Sequence, residues 1–133
     1  MSDPAMYIFV NRSLGMSAGK LAAQAAHAAV EAYRLSEIDN QPLVKQWYLG
    51  GHYKKLVMLA RDERHIRTIQ DYLKKRGFKS VMIIDEGMTE VDPHVYTALG
   101  VELVDKLDEH TSKTFSSFEL YKDIIKVTLE LPR

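Results

Sequence analysis

The chain has 133 residues, of which 46% are hydrophobic and 27% are charged, a balance typical of one soluble globular domain. It contains no cysteine, which excludes disulfides, a thiol nucleophile and cysteine-ligated metals. The formal net charge is zero, but residues 1–84 carry 13 Lys or Arg against 7 Asp or Glu, and the rest of the chain reverses this excess. We therefore expect a single domain, residues 1–133, without general affinity for polyanions, whose first part can still form a basic face.

The hydrophobic patterns predict an α/β fold. Residues 6–11 (MYIFVN) form a buried strand that leads through a glycine loop into a long helix. Residues 54–60 form a second strand. A second helix over 62–77 starts at an Asp62 cap, and a third strand follows over 78–85. Two strand–helix–strand passages favour parallel pairing in a sheet covered by helices on both faces.

The remaining segments are less regular. Residues 36–51 contain turn signals and then a short helical piece, in which Trp47 is expected to pack rather than to stack on a base. Residues 95–101 fit a fourth strand and 102–109 a short helix. The extension 111–133 fits either a helix from a serine cap or a strand through KVTLEL, and no function is assigned to it.

No stretch has the pattern of a membrane span or a secretory leader. The apolar runs stay below the roughly 18 residues that span a bilayer. The start, MSDPAMYIFVNR, lacks a basic region and a small-residue cleavage site. We expect a cytoplasmic protein without a membrane partner.

The glycine-containing stretch LGMSAGKLAAQAAHAAVEAY is suited to an anion at the start of its helix. A Walker-type loop needs GxxxxGK followed by Ser or Thr, but only three residues separate Gly15 from Gly19, and Leu21 follows Lys20. Nucleotide hydrolysis is therefore disfavoured. Free amides at a helix N-terminus, the helix dipole and Lys20 still suit a single anionic group.

One side of this helix is polar and the rest is rich in alanine. Helical spacing from Lys20 places Gln24, His27, Glu31 and Arg34 on that side. The alanines allow close approach to a sheet, and this packing role explains most of the stretch. A lone histidine on such a stripe is more often a hydrogen-bonding surface group than a catalyst. Lys20 opposes the helix dipole, which is weak evidence for a role.

A second polar group follows the third strand, in IIDEGMTEVDPHVYTALG. Asp85 ends the strand, where open α/β sheets bind ligands. Gly87, Thr89 and Thr97 add flexible backbone and hydroxyls nearby in sequence. If the first and third strands are neighbours, Lys20 and Asp85 share one cleft. The alternative is a loop carboxylate that caps a turn.

Three stretches occur together with a characteristic order and spacing: LGMSAGKLAAQAAHAAVEAY (14–33), QWYLGGHYKKLVMLA (46–60) and DEGMTEVDPHVYTALG (85–100). They resemble the type-two peptidyl-tRNA hydrolases of archaea and eukaryotes and cover most of residues 6–107. The first motif is specific because its Gly-Lys, Ala-Ala-Gln and His-Ala elements occur together.

The resemblance implies a mixed sheet of four or five strands between helices, a homodimer, and hydrolysis of the ester that joins a peptide to the 3′-terminal ribose of tRNA. It implies tRNA as partner, and neither metal nor cofactor. Asp85 would orient or deprotonate a water, and Lys20 would hold developing oxyanion charge or a phosphate. Lys20 and Asp85 are thus the catalytic candidates. The candidates for substrate binding are Gly19, Gln24, His27, Gly87, Thr89 and Thr97.

The third motif departs from the family pattern. Glu86 stands where a small residue is usual, Glu90 where polar, basic or amide residues are common, and 101–102 lack the expected Gly-Pro. Additional carboxylates beside Asp85 would repel phosphate. The alternative function is therefore a noncatalytic RNA-binding or regulatory protein with the same fold. Under either function, basic residues of 54–76 are candidates for contacts with the RNA backbone.

Overall fold

The computed structural model describes residues 1–85 and 95–127. Its strands are β1 (Pro4–Asn11), β2 (Lys55–Ala60), β3 (Ser80–Asp85), β4 (Val95–Val101), β5 (Val104–Asp105) and β6 (Ile125–Val127). Its helices are α1 (Ala18–Asp39), α2 (Gln41–Leu49), α3 (Glu63–Lys75), α4 (Glu109–Phe115) and α5 (Phe118–Tyr121). A 3-10 turn, Arg12–Leu14, links β1 to α1.

The sheet is mixed and open. Its order is β3-β4-β1-β2-β6, and β5 pairs with β1 outside this path. Because β1 is parallel to β2 and antiparallel to β4, and β4 is antiparallel to β3, strands β1, β2 and β3 all end at one side of the sheet. We call this side the carboxyl edge. The predicted α/β class and the parallel pairing of the first two strands are confirmed.

The strand arrangement differs from the sequence-based expectations in two respects. The first and third strands are not neighbours, because β4 lies between them. The described residues form six strands rather than four or five. The additional strands, β5 and β6, have two and three residues and are too short for a readable alternation of side chains.

Helices cover both faces of the sheet. Ile8 and Val10 of β1 pack in a core with residues of α1 and α2, whereas Tyr7 and Phe9 pack in a second core with residues of α3 and α4. Every residue of β1 is therefore buried, as expected for a central strand between two helical layers. In the described part of the chain, no helix is both long and apolar enough to cross a membrane.

The backbone of helix α1 lies in direct contact with the backbone of β4. A Cβ on Gly100 would lie 2.3 Å from the carbonyl oxygen of Ala28, so this crossing requires glycine. Ala28 and Ala32 are fully buried, and the hydroxyl of Ser36 accepts a hydrogen bond from the backbone N–H of Leu103 at 2.8 Å. The alanine-rich flank thus has the packing role that its composition predicts.

The segment after β4 differs from the sequence prediction. The predicted helix over 102–109 is wrong, because residues 104–105 pair with β1 and the next helix begins only at Glu109. Asp108 starts that helix by accepting from the N–H of Thr111 at 3.0 Å. In the tail, Ser117 caps the short helix α5, and β6 includes the first two residues of KVTLEL, whereas the rest of that stretch lies outside the described residues. Trp47 packs as predicted and donates to the carbonyl of Lys54.

Candidate active site

The start of α1 places a lysine at the carboxyl edge. The 3-10 turn ends at Gly15, whose φ of 58° is left-handed and favours glycine. Ser17 then caps α1, because its hydroxyl accepts from the backbone N–H of Lys20 at 3.3 Å. Lys20 consequently lies in the first helical turn, above the end of the sheet.

Lys20 meets Asp85 at this edge. The lysine Nζ is 3.1 Å from the aspartate Oδ2, and the two side chains are 37% and 20% exposed. They meet although β4 separates their strands, because α1 packs across both β4 and β3. A cation and a carboxylate therefore share one solvent-accessible position.

One turn further along α1, Gln24 and Thr97 form a buried pair. The Thr97 hydroxyl donates to Gln24 Oε1 at 2.7 Å, and the residues are 1% and 9% exposed, respectively. A shift in the β3–β4 register leaves Thr97 as an additional residue opposite the step from Ile83 to Ile84. This bulge explains why the Thr97 side chain faces α1, on the same side as its neighbour Ala98.

Of the other predicted site residues, the structure describes His27 and Gly19. His27 is exposed, lies about 10 Å from Lys20 along the helix axis, and makes no hydrogen bond or ion pair with a described residue. Gly19 is exposed, and a Cβ added there would meet no heavy atom within 4 Å. The predictions for Gly87 and Thr89 fall outside the described residues.

Two residues at this edge, Asn11 and Arg67, make contacts that were not predicted. Asn11, which is 2% exposed, donates to the carbonyl of Tyr96 at 3.0 Å and accepts from the N–H of Ser13. Asparagine after a strand favours such a turn, so a sequence signal existed. The guanidinium carbon of Arg67 lies 4.3 Å from the Tyr96 ring centroid, a contact without any local sequence signal.

The carboxyl edge also carries cations beyond Lys20. Arg12 and Arg64 are exposed and form no ion pair within residues 1–85 and 95–127. Nearby His65 is 7% exposed and its Nδ1 accepts from the N–H of Arg61 at 3.0 Å. Burial, and secondly the charge of Arg61, lowers the pKa of His65 and favours its neutral form. Among the described residues, no three His, Asp or Glu side chains are grouped so that they could hold a metal ion.

These features define a small α/β protein with a candidate site at the carboxyl ends of its strands, where open α/β sheets bind ligands. A family model, peptidyl-tRNA hydrolase PTH2, matches residues 5–121. The chain belongs to this family, which confirms the resemblance found in the sequence.

Named relatives occur in archaea and in animals. A peptidyl-tRNA hydrolase of Pyrobaculum aerophilum is 35% identical over 122 residues, which cover 90% of this chain and 99% of the relative. A peptidyl-tRNA hydrolase of Methanopyrus kandleri is 36% identical over 94 residues, which cover 71% of this chain and 79% of the relative. The mitochondrial peptidyl-tRNA hydrolase 2 of Homo sapiens is 36% identical over 110 residues, covering 79% of this chain and 61% of the human protein.

Proposed function

We propose that this chain hydrolyses the ester between a peptide, or an N-blocked amino acid, and the 3′-terminal ribose of tRNA. The observation that carries this proposal is the 3.1 Å contact between Lys20 and Asp85 at an accessible edge of the sheet. Family membership supports it, because the relatives are named for this activity. The ester is more labile than the peptide bonds beside it, so one acid–base group and one cation suit the reaction.

The two side chains divide the reaction between them. Asp85 orients a water and accepts its proton as the water oxygen attacks the ester carbonyl carbon. Lys20 has three N–H donors, so one can contact Asp85 while another meets the oxyanion of the tetrahedral intermediate. The bond to the ribose oxygen then breaks, and that oxygen takes the proton back from Asp85. The products are a free peptide acid and tRNA with its terminal hydroxyl.

We assign Gln24 and Thr97 a positioning role beside these groups. The Thr97 hydroxyl is committed to Gln24 Oε1, whereas Gln24 Nε2 makes no hydrogen bond with a described residue and can donate to a substrate oxygen. Gly19 leaves the helix start open to the substrate, and His27 would contact it further along the same side of α1. Gly87 and Thr89 stay predictions from the sequence.

Binding of tRNA would add phosphate contacts at the same edge. We propose Arg12 and Arg64 for these contacts, because both are exposed and have no carboxylate partner among the described residues. Each phosphate contact changes the slope of log affinity against log salt by about 0.7–0.9. Replacing either arginine with glutamine should reduce that slope by nearly one unit, whereas loss of Lys75, which is ion-paired to Asp71, should leave it unchanged.

The decisive experiment is single-turnover hydrolysis of a defined N-blocked aminoacyl-tRNA. Asp85→Asn and Lys20→Ala should each reduce the rate by about 10²–10⁴. Asp71→Asn is the matched control, since it makes the same chemical change in an exposed ion pair, 3.0 Å from Lys75 on α3. Unchanged rates in both folded site variants would refute the assignment. A wild-type protein that binds the tRNA without turnover would instead favour the noncatalytic alternative.

We further propose that the protein acts in the cytoplasm as a homodimer. Val30 of α1 is 57% exposed and borders an apolar groove of about 450 Å³, which Tyr33, Tyr48 and Tyr53 also line. Exposed apolar surface of this kind marks interaction sites, and a second copy would cover it. Val30→Glu should convert a dimer into a monomer in analytical ultracentrifugation. A monomeric wild-type protein would contradict the dimer.

A further inference from the structure

A polar cavity lies on the α3–α4 side of the sheet, away from the carboxyl edge. Its volume is about 330 Å³, and it opens between β1, α4 and the C-terminal segment. It combines amines with hydroxyls. Its polar lining includes Tyr7, Lys106, Ser112, Ser116, Tyr121 and Lys126.

The amines around this cavity have too few carboxylate partners. Lys106 and Lys126 form no ion pair in the described part of the chain. The positive charge of Lys54 also repels that of Lys106. The Asp3 carboxylate beside them is shared, because its oxygens lie 3.3 and 3.4 Å from Lys54 Nζ. Burial, and secondly the charge of Lys54, lowers the pKa of Lys106. A bound anion would offset both effects.

The hydroxyls of the cavity can donate to an anion. Tyr7 and Tyr121 both line the cavity, and burial raises the pKa of both, so their phenols stay protonated. A protonated phenol has one O–H group that can donate a hydrogen bond. The Ser112 hydroxyl makes no hydrogen bond with a described residue, whereas Ser116 donates to the Ser112 carbonyl at 2.7 Å.

We propose that this cavity binds a phosphate group, with Lys106 and Lys126 supplying charge and Tyr7, Ser112 and Tyr121 supplying hydrogen-bond donors. Phosphate fits this lining because it presents several acceptor oxygens and a negative charge. The volume is near the lower end of small-molecule sites, which suits a phosphate with one attached sugar. Two sources share this chemistry, a free phosphorylated compound and the backbone of RNA.

The site lies apart from the proposed hydrolytic centre. Tyr7 faces the core that contains α3 and α4 residues, whereas Lys20 belongs to the helix on the opposite face. Tyr121 and Lys126 come from the tail, so the proposal gives the extension a function. It does not depend on whether the chain hydrolyses peptidyl-tRNA.

An NMR titration of backbone amides with inorganic phosphate tests the cavity directly, with chloride at equal ionic strength as reference. We expect saturable shifts at Tyr7, Lys106 and Ser112. Lys106→Gln should weaken binding roughly tenfold, because a charge-assisted contact is lost, and Tyr121→Phe roughly threefold. Lys122→Gln is the matched control, an exposed lysine outside the cavity, and should bind as the wild type does.

Two results would overturn the proposal: phosphate shifts that do not saturate, or equal affinity in the wild type and in folded Lys106→Gln. Spectra of the variants without phosphate verify the fold. A flat titration counts against the cavity even if the tRNA assay changes.

Rates of hydrolysis measured at increasing tRNA concentration show whether the phosphate group in the cavity belongs to RNA or to a small compound. If RNA occupies the cavity, Lys106→Gln raises the concentration for half-maximal rate and leaves the maximal rate unchanged. If a small compound occupies it, both quantities stay as in the wild type while phosphate binding is weakened. Either result supports the site. Failure of the hydrolysis proposal would remove this second assay alone, because the titration needs no turnover.

Discussion

The buried hydrogen bond between Thr97 and Gln24 should contribute to stability and to the alignment of the site. Thr97→Val keeps the shape of the side chain but removes the donor, which lies 2.7 Å from Gln24 Oε1. Both residues are at most 9% exposed, so the amide oxygen would lose its partner with little access to water. Such a loss costs about 1–3 kcal/mol. In a domain of this length, 2 kcal/mol lowers the melting temperature by about 7 °C.

Urea unfolding of a variant set isolates this hydrogen bond. Thr97→Ser retains the hydroxyl and should cost about 1 kcal/mol for the lost methyl. Combining Thr97→Val with Gln24→Leu replaces both partners with apolar groups and should recover much of the loss, which a double-mutant cycle reads as coupling. A cycle without coupling, or a Val variant as stable as the Ser variant, would refute the reasoning.

Hydrolysis assays on the same set separate positioning from stability. Thr97→Val should reduce the single-turnover rate about tenfold, because Lys20 lies only one turn from Gln24. Ser36→Ala is the control, since it removes the acceptor for the buried N–H of Leu103 four turns away. It should cost similar stability and leave the rate unchanged. Equal rate losses in the two variants would show that Thr97 acts only through overall stability.

Three further perturbations have defined outcomes. Asp85→Asn should change the free energy of unfolding in urea by less than about 1 kcal/mol, because its ion pair is partly exposed; a larger loss would make the pair structural. Gly100→Ala should lower the free energy of unfolding by about 1–3 kcal/mol, because the added Cβ forces the Ala28 backbone away. Gly19→Ala should not destabilise the protein, because the space around Gly19 is open. Equal changes in melting temperature in the two variants would contradict this packing. The folded state lowers the pKa of His65, so the stabilisation from its neutral form is fully present above the unfolded pKa of about 6.5 and is lost as the pH falls below that value. His65→Gln should therefore flatten the dependence of the free energy of unfolding on pH. An equally steep loss of stability in the variant would contradict the assignment.

Local signals were sufficient for much of the fold. The buried run of β1 and the cap of α3 at Asp62 depend on residues that are close in sequence, and both were predicted. The helix predicted over 102–109 failed because pairing with β1, a contact between distant segments, takes residues 104–105 into the sheet. Sequence order also does not give strand order, so the insertion of β4 between β1 and β3 was not predicted.

The candidate site could be predicted only in part, because some of its contacts depend on the pairing of distant segments. Resemblance to a family selected Lys20 and Asp85, and the structure places their charged groups 3.1 Å apart. Strict alternation along β4 would place Thr97 on the face opposite its neighbour Ala98, away from Gln24. The bulge reverses this orientation, and no residue pattern within β4 predicts the bulge.

Regular spacing along α1 explains how the fold holds the proposed catalytic lysine in place. The contacts in order are Lys20–Asp85, Gln24–Thr97, Ala28–Gly100 and Ser36–Leu103. The three inner contacts are buried and span about 18 Å of helix, so they fix both the rotation of α1 and its position along β4. Lys20 lies one turn from the Gln24–Thr97 contact, so the same contacts also fix the position of its backbone, while its ammonium group stays accessible. The buried packing stripe and the exposed ion pair are therefore two ends of one helix surface, which is why changes at Thr97 should affect the site more than changes at Ser36.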